Sequence, residues 1–179
     1  SYVVGGIIPD IHTNANYKSD KYFIAELDES DGTVVKYKPD ILVINNLEAD
    51  HLDFYKNGLS SLVETFEQLL SKMSENQKVL INNDSEGNLK LQGHKFVTYG
   101  LKEADYVAKN IVLTPEGSTF DVYYKGELLV SLKIKLLGKH NVYNALAVLA
   151  SLNEASVDLS FVKDYFAEFT GMGRRFQHI

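Results

Sequence analysis

Four short segments of the chain carry residue types that chemistry needs. The first is Ala25-Glu26-Leu27-Asp28-Glu29-Ser30-Asp31, with four carboxylates inside six residues. Like charges so close repel one another unless a cation or a set of donors holds them. Mg²⁺ takes oxygen ligands, commonly one or two carboxylates with substrate phosphates, so the segment reads either as a cation site or as a solvated acidic turn. The second is Asn45-Asn46-Leu47-Glu48-Ala49-Asp50-His51-Leu52-Asp53. A histidine flanked by acids is a metal ligand, a general base or an exposed loop residue. The third is Gly138-Lys139-His140-Asn141-Val142-Tyr143-Asn144-Ala145, in which Asn141 and Asn144 share one face near the start of a helix. An Asn amide offers a donor and an acceptor, which suits a purine edge, although capping explains a single Asn equally well. The fourth is Gly171-Met172-Gly173-Arg174-Arg175-Phe176, whose adjacent arginines are either a bidentate phosphate clamp or exposed charge. One expected partner is missing from the sequence. No G-x-x-x-x-G-K-[ST] phosphate loop occurs, and the Gly-Lys pair Gly138-Lys139 is followed by His140.

These segments must be positioned by the elements around them. Tyr22-Phe23-Ile24-Ala25, Ile41-Leu42-Val43-Ile44 and Lys78-Val79-Leu80-Ile81 read as buried strands, each ending in a polar cluster (26–31, 45–53 and 82–84). Between the last two, Leu59 to Met73 places Leu59, Leu62, Val63, Phe66, Leu69 and Leu70 at helical spacing. Strand–helix–strand in this order predicts a parallel sheet. Parallel strands would put the first two polar clusters on one sheet edge, where ligands of open α/β sheets bind. From about Asp105 to Leu137 the texture changes to short strands (111–113, 119–124 and 128–136) with turns at Pro115-Glu116-Gly117 and Lys125-Gly126-Glu127. This stretch is expected to form a small antiparallel β subdomain inserted into, or packed beside, the α/β core. Helices are expected over 141–154 and 159–169, the second capped by Asp158 or Ser160.

Composition narrows the function classes. The 179 residues suffice for one domain with a core, and 18 Lys plus Arg against 24 Asp plus Glu leave a formal charge of -6. That balance argues against a nucleic-acid binder acting through bulk charge. With no cysteine, disulfides, zinc–thiolate sites and thiol catalysis are excluded. No apolar run approaches the ~18 residues of a membrane span, and the start lacks a signal-peptide layout, so a cytoplasmic location is expected. There is no initiator Met, strand-like Tyr2-Val3-Val4-Gly5-Gly6 begins at once, and Gly173-Arg174-Arg175-Phe176 nearly ends the chain, so a piece of a longer protein is expected.

Taken in order, the four segments resemble the Mur ligases, ATP-dependent enzymes that add amino acids to the cytoplasmic peptidoglycan precursor. The E-A-D-E-S-D-like 26–31 segment and Asn46-Leu47-Glu48-Ala49-Asp50-His51-Leu52-Asp53 look most like the alanine-adding branch. The family has a UDP-sugar domain, a central ATPase and a C-terminal domain. The chain resembles the central one from just after its phosphate loop, so an α/β, P-loop NTPase-like fold is implied over 1–179. The resemblance implies that Glu26 holds Mg²⁺ beside the ATP γ-phosphate and that His51 holds a second Mg²⁺. It implies that His140, Asn141 and Asn144 hold the adenine and nearby nucleotide, and that Arg175, with Arg174 beside it, reaches the ATP phosphates. The implied substrates are UDP-N-acetylmuramate and L-alanine. The muramate carboxylate would attack the γ-phosphate to give an acyl phosphate, which the alanine amine then opens. Two unit like charges at ~4 Å repel by about 4 kcal/mol at an effective dielectric of 20, a cost that cations offset as the two anions meet.

Departures from the family pattern are equally concrete. Leu27 stands where many alanine-adding ligases have Ala. Other Mur ligases place a carbamylated lysine on the helix after the His motif, whereas here the first lysine is Lys72. Without the phosphate-loop Lys and Thr the β/γ-phosphates lose their cradle, so this chain alone is expected to be inactive and to bind ATP weakly. The runner-up within the family is the ligase that reattaches a whole peptide to the same sugar, and the short 32–40 stretch favours the alanine-adding enzyme instead. A non-catalytic nucleotide-binding module is the alternative from another class, and a G-x-x-G-K-T just upstream of Ser1 in the gene would eliminate it.

Overall fold

The structure is a computed structural model that describes residues 1–8 and 11–171. Its main body is a six-stranded sheet built from β4 (Ile41–Ile44), β5 (Lys78–Asn82), β6 (Phe96–Gly100), β7 (Tyr106–Thr114), β8 (Gly117–Tyr124) and β9 (Glu127–Ile134), in that spatial order. A three-stranded sheet holds β1 (Tyr2–Ile8) between β2 (Thr13–Asn16) and β3 (Ile24–Ala25). The helices are α1 (Leu59–Leu70), α2 (Lys139–Glu154) and α3 (Val162–Glu168).

Alternation along β4 and β5 explains how helices come to lie on both faces. Leu42, Ile44, Val79 and Ile81 turn to one side, where α1 packs Leu62, Val63, Phe66, Leu69 and Leu70 against them. Ile41, Val43 and Leu80 turn to the other, where α2 supplies Val142, Leu146, Leu149 and Ala150. Successive residues of a strand point to opposite faces, so a sheet covered on both sides buries both sets, which is why these runs are apolar throughout. The β4–β5 pair is parallel, as the strand–helix–strand order predicts, and the β5–β6 and β6–β7 pairs are parallel as well. From there the sheet turns antiparallel through β8 and β9. The antiparallel stretch expected over about 105–137 therefore forms the other half of the same sheet, joined edge to edge through β6 and β7.

Two expectations need correction. Tyr22 to Ala25 was expected as a buried strand parallel to Ile41–Ile44. Instead β3 is two residues long and pairs with β1, and Phe23 and Ile24 are 69% and 64% exposed. Its backbone is satisfied there: Ile24 donates to the Ser1 carbonyl and Glu26 to the Val3 carbonyl. An apolar run does not say which strand it pairs with, and β1 is the partner within reach. The second concerns Asp158, which accepts the Ser160 N–H at 2.9 Å in a turn before α3 and so does not cap the helix, whose N-cap is Phe161. β6 was not anticipated at all.

The far end of α2 is clamped to the sheet. Lys78 Nζ lies 2.7 Å from Glu154 Oε2 and also donates to the Glu154 carbonyl at 2.7 Å. The Tyr106 hydroxyl donates to Glu154 Oε1 at 2.8 Å. A cation at a helix C-terminus is favoured by the helix dipole, and the Glu154 side chain is only 11% exposed. Lys78→Met should leave that carboxylate short of a partner and cost about 1–2 kcal/mol, lowering the melting temperature by roughly 3–6 °C in a thermal unfolding scan.

Candidate functional site

The segments that follow the C-terminal ends of β4 and β5 flank a cleft of about 390 Å³. It is lined by Asn46, Leu47, Glu48 and Ala49 after β4, by Asp84, Ser85, Glu86 and Gly87 after β5, and by Leu59 at the start of α1. Hydrogen bonds fix the loops that form it. Ser85 Oγ donates to Asn46 Oδ1 at 2.6 Å, the Tyr99 hydroxyl donates to Asn45 Oδ1 at 2.7 Å, and the Asn46 amide donates to Glu48. Beneath them the fully buried Asn88 donates to the Ile44 carbonyl at 3.0 Å and the Asn82 carbonyl at 3.2 Å. Strand ends splay where their ladder stops, and these side chains replace the missing backbone partners.

The acidic segment and the histidine segment meet at His51, but its partner there is Glu29 and not Glu26. His51 Nε2 lies 3.9 Å from Glu29 Oε1, and the Tyr55 hydroxyl donates to the Glu29 carbonyl. Glu26, by contrast, is held by β1: the Gly5 N–H donates to its Oε2 at 2.7 Å. His51 adopts a left-handed backbone, φ 52°, stabilised by the Asp50 carboxylate accepting its N–H at 2.7 Å and by its own carbonyl accepting from Phe54 and Tyr55. A non-glycine residue in that region carries a cost, and such costs gather at functional sites. Two of the carboxylates are held below the ordinary carboxylate value. Hydrogen bonds from Ser30 hold Asp28 below its ordinary value, and hydrogen bonds from Thr33 do the same for Asp31. The loop thus presents fixed negative charge at neutral pH.

At the start of α2, His140, Asn141 and Asn144 lie together on the surface. The Asn141 amide donates to the Leu137 carbonyl at 2.7 Å and sits 3.1 Å from His140 Nε2, while Asn144 donates to Asn141 Oδ1 at 3.1 Å. The N-cap is Gly138, with no side-chain cap bond, so capping does not account for these asparagines. Arg174 and Arg175 lie outside the described residues.

Among the described residues no three or more His, Cys, Asp or Glu side chains converge as a ready-made metal cage. Mg²⁺ does not require one, since it keeps several waters and leans on substrate phosphates. Glu26 fits that pattern: it is exposed, one oxygen is anchored on Gly5, and Oε1 has no hydrogen-bond partner among the described residues.

Sequence reading missed Asp84, Ser85, Asn88, Tyr99 and Tyr143 as site residues. The signal available was slight: Asn82 to Asp84 is a polar cluster ending an apolar run, the same pattern as at 45–53.

The Mur ligase middle-domain profile matches residues 8–152, most of the chain. This chain belongs to the Mur ligases. Relatives named UDP-N-acetylmuramate–L-alanine ligase include those of Dictyoglomus turgidum, 38% identical over 98% of this chain, and of Geobacter sulfurreducens, 36% identical over 98%. Among solved structures, the UDP-N-acetylmuramate–alanine ligase MurC of Thermotoga maritima superposes on 96% of the chain with a TM-score of 0.81 at 32% identity. The Neisseria UDP-N-acetylmuramate:L-alanyl-γ-D-glutamyl-meso-diaminopimelate ligase superposes on 97% with a TM-score of 0.80 at 25% identity. As a Mur ligase middle domain, the chain spans 38% of the length of the Dictyoglomus relative and 39% of the Thermotoga chain.

Proposed function

We propose that this chain is the nucleotide-handling middle domain of an ATP-dependent ligase that joins L-alanine to UDP-N-acetylmuramate. The observation that carries the reading is the 36–38% identity, over nearly the whole chain, to ligases of that name. The lower identity to the peptide-attaching ligase, 25%, favours the alanine-adding reaction over that alternative. The reading brings a cytoplasmic location with it. No helix among the described residues is long and apolar enough to cross a membrane.

In this reading each cluster has a task. Glu26 is an oxygen ligand for Mg²⁺, oriented by the Gly5 amide. Bound Mg²⁺ supplies charge neutralisation where the muramate carboxylate approaches the γ-phosphate. His51, on its constrained loop beside Glu29, holds the second cation near the substrate carboxylate. His140, Asn141 and Asn144 hydrogen-bond the adenine and adjoining nucleotide from the first turn of α2, and Arg174 and Arg175 reach the phosphates. Every one of these groups acts by holding charge or position, which is where phosphoryl transfer gains most of its rate.

The direct test is phosphate release by the complete ligase polypeptide containing this chain, with UDP-N-acetylmuramate, MgATP and L-alanine all required. Turnover that needs a peptide in place of alanine would overturn the assignment. His51→Ala in that polypeptide should lower kcat by about a hundredfold, read in the same assay. For this chain by itself, which has no phosphate-loop sequence, isothermal titration with MgATP should show weak binding or none, and micromolar affinity would contradict it.

A further inference from the structure

The start of α2 presents a structural question that the nucleotide contacts leave open. Its N-cap is a glycine without a side-chain bond, and His140, Asn141 and Asn144 spend polar atoms on one another and on Leu137. Apolar contacts hold the buried face of α2, and directional hydrogen bonds at its two ends add to that packing the precision that nucleotide contacts need. The C-terminal end is fixed through Glu154 by Lys78 and Tyr106. At the N-terminal end, one hydrogen bond among the described residues ties the helix's first turn to the end of a strand. The Tyr143 hydroxyl donates to Asp84 Oδ2 at 3.0 Å.

Asp84 is a rigid receptor for that bond. Its Oδ2 also accepts the Leu101 N–H at 2.6 Å, and its own N–H is held by Asn82 Oδ1 at 3.0 Å. The carboxylate lies so close over β6 that a Cβ on Gly100 would sit 3.0 Å from Oδ2. Asp84 also lines the cleft, beside Ser85 and opposite Asn46 and Glu48. The pair therefore connects the lining of the cleft to the turn that bears Asn141 and Asn144. Burial first, and then the Asp84 carboxylate, push the Tyr143 hydroxyl up to about 12, so it remains a proton donor throughout the working pH range.

We propose that Asp84 and Tyr143 are positioning residues for the nucleotide, locking the first turn of α2 in register with the ends of β5 and β6. They act through the helix and need not touch the ligand. The proposal rests on the reading of His140, Asn141 and Asn144 as nucleotide contacts, and its test separates the two. In the complete ligase polypeptide containing this chain, Tyr143→Phe keeps the ring and removes the O–H. It should raise KM for MgATP about five- to tenfold, with KM for L-alanine and kcat within about twofold and the melting temperature lower by only about 2–4 °C, the cost of one hydrogen bond. Asp84→Asn should raise the same KM, and the double variant should add little to either, because both remove one bond. Should Asp84→Asn unfold the protein, Tyr143→Phe carries the test alone.

An unchanged KM for MgATP in Tyr143→Phe would overturn the proposal. So would a rise in both KM values, since a purely structural tether would do that. Asn141→Ala is the separating control. If it raises KM for MgATP while Tyr143→Phe does not, the positioning role alone fails. If neither variant moves it, the nucleotide role of the α2 turn fails as well.

Discussion

Glu26→Gln is expected to lower kcat of the complete ligase polypeptide about a thousandfold while leaving its unfolding transition in place. The two halves of that expectation come from different features of one side chain. Gln is isosteric and keeps an oxygen to accept the Gly5 N–H, so the anchoring bond of 2.7 Å survives. Glu26 is exposed and buries no apolar surface, and substitutions of that kind cost within about 0.5 kcal/mol. What Gln removes is the charge. A neutral amide is a poor ligand for Mg²⁺, and a thousandfold loss corresponds to about 4 kcal/mol of transition-state stabilisation, in the range a bound cation supplies. Steady-state phosphate release at several Mg²⁺ concentrations reads the effect, and high Mg²⁺ should recover part of it. Glu29→Gln is the informative comparison, because Glu29 faces His51 at 3.9 Å. A large loss in Glu29→Gln with near-normal turnover in Glu26→Gln would move the cation to Glu29 and sink the role given to Glu26.

That ambiguity marks where the sequence stopped being legible. β4, β5 and α1 could be read because each is a pure signal: unbroken Ile-Leu-Val-Ile, Val-Leu-Ile, and apolar residues at helical spacing. α2 could be read from its Ala and Leu content, although it starts at Lys139, two residues earlier than expected. β6 could not, because Phe96-Val97-Thr98-Tyr99-Gly100 mixes a polar residue and a glycine into five positions and borrows its burial from β5 and β7. β3 was misjudged for a related reason: a two-residue strand takes its identity from its partner, and pairing is a long-range fact that local pattern does not encode. The site divides the same way. Motif spacing picks out the acidic loop, the histidine loop and the α2 turn, since each is a local run of reactive types. The bonds that join them are not local. Tyr143 and Asp84 are 59 residues apart, Tyr99 and Asn45 are 54 apart, and each looks unremarkable in its own neighbourhood.

Gly87→Ala should cost about 3 kcal/mol, and here no chemistry is involved beyond excluded volume. Gly87 has φ -67° and ψ -42°, a backbone that any residue adopts freely, so conformational freedom is not what the position demands. Space is. A Cβ there would lie 1.9 Å from the Leu47 carbonyl oxygen and 2.8 Å from its carbon. Those are backbone atoms of the loop after β4, with no flexible side chain to swing aside, so one of the two loops must retreat. Retreat has consequences on both sides. Leu47 is 3% exposed in the core against α1, and the neighbouring Asn88 holds the Ile44 and Asn82 carbonyls. Overpacking of about 1–3 kcal/mol joins about 1 kcal/mol for hydrogen bonds strained or lost, giving a melting temperature lower by roughly 6–12 °C. Thermal unfolding followed by circular dichroism measures it directly. Because the same two loops line the cleft, a variant that melts like the parent protein would mean that they move apart freely, and a cleft whose walls slide without cost cannot be the preformed edge on which the nucleotide and its cations are positioned.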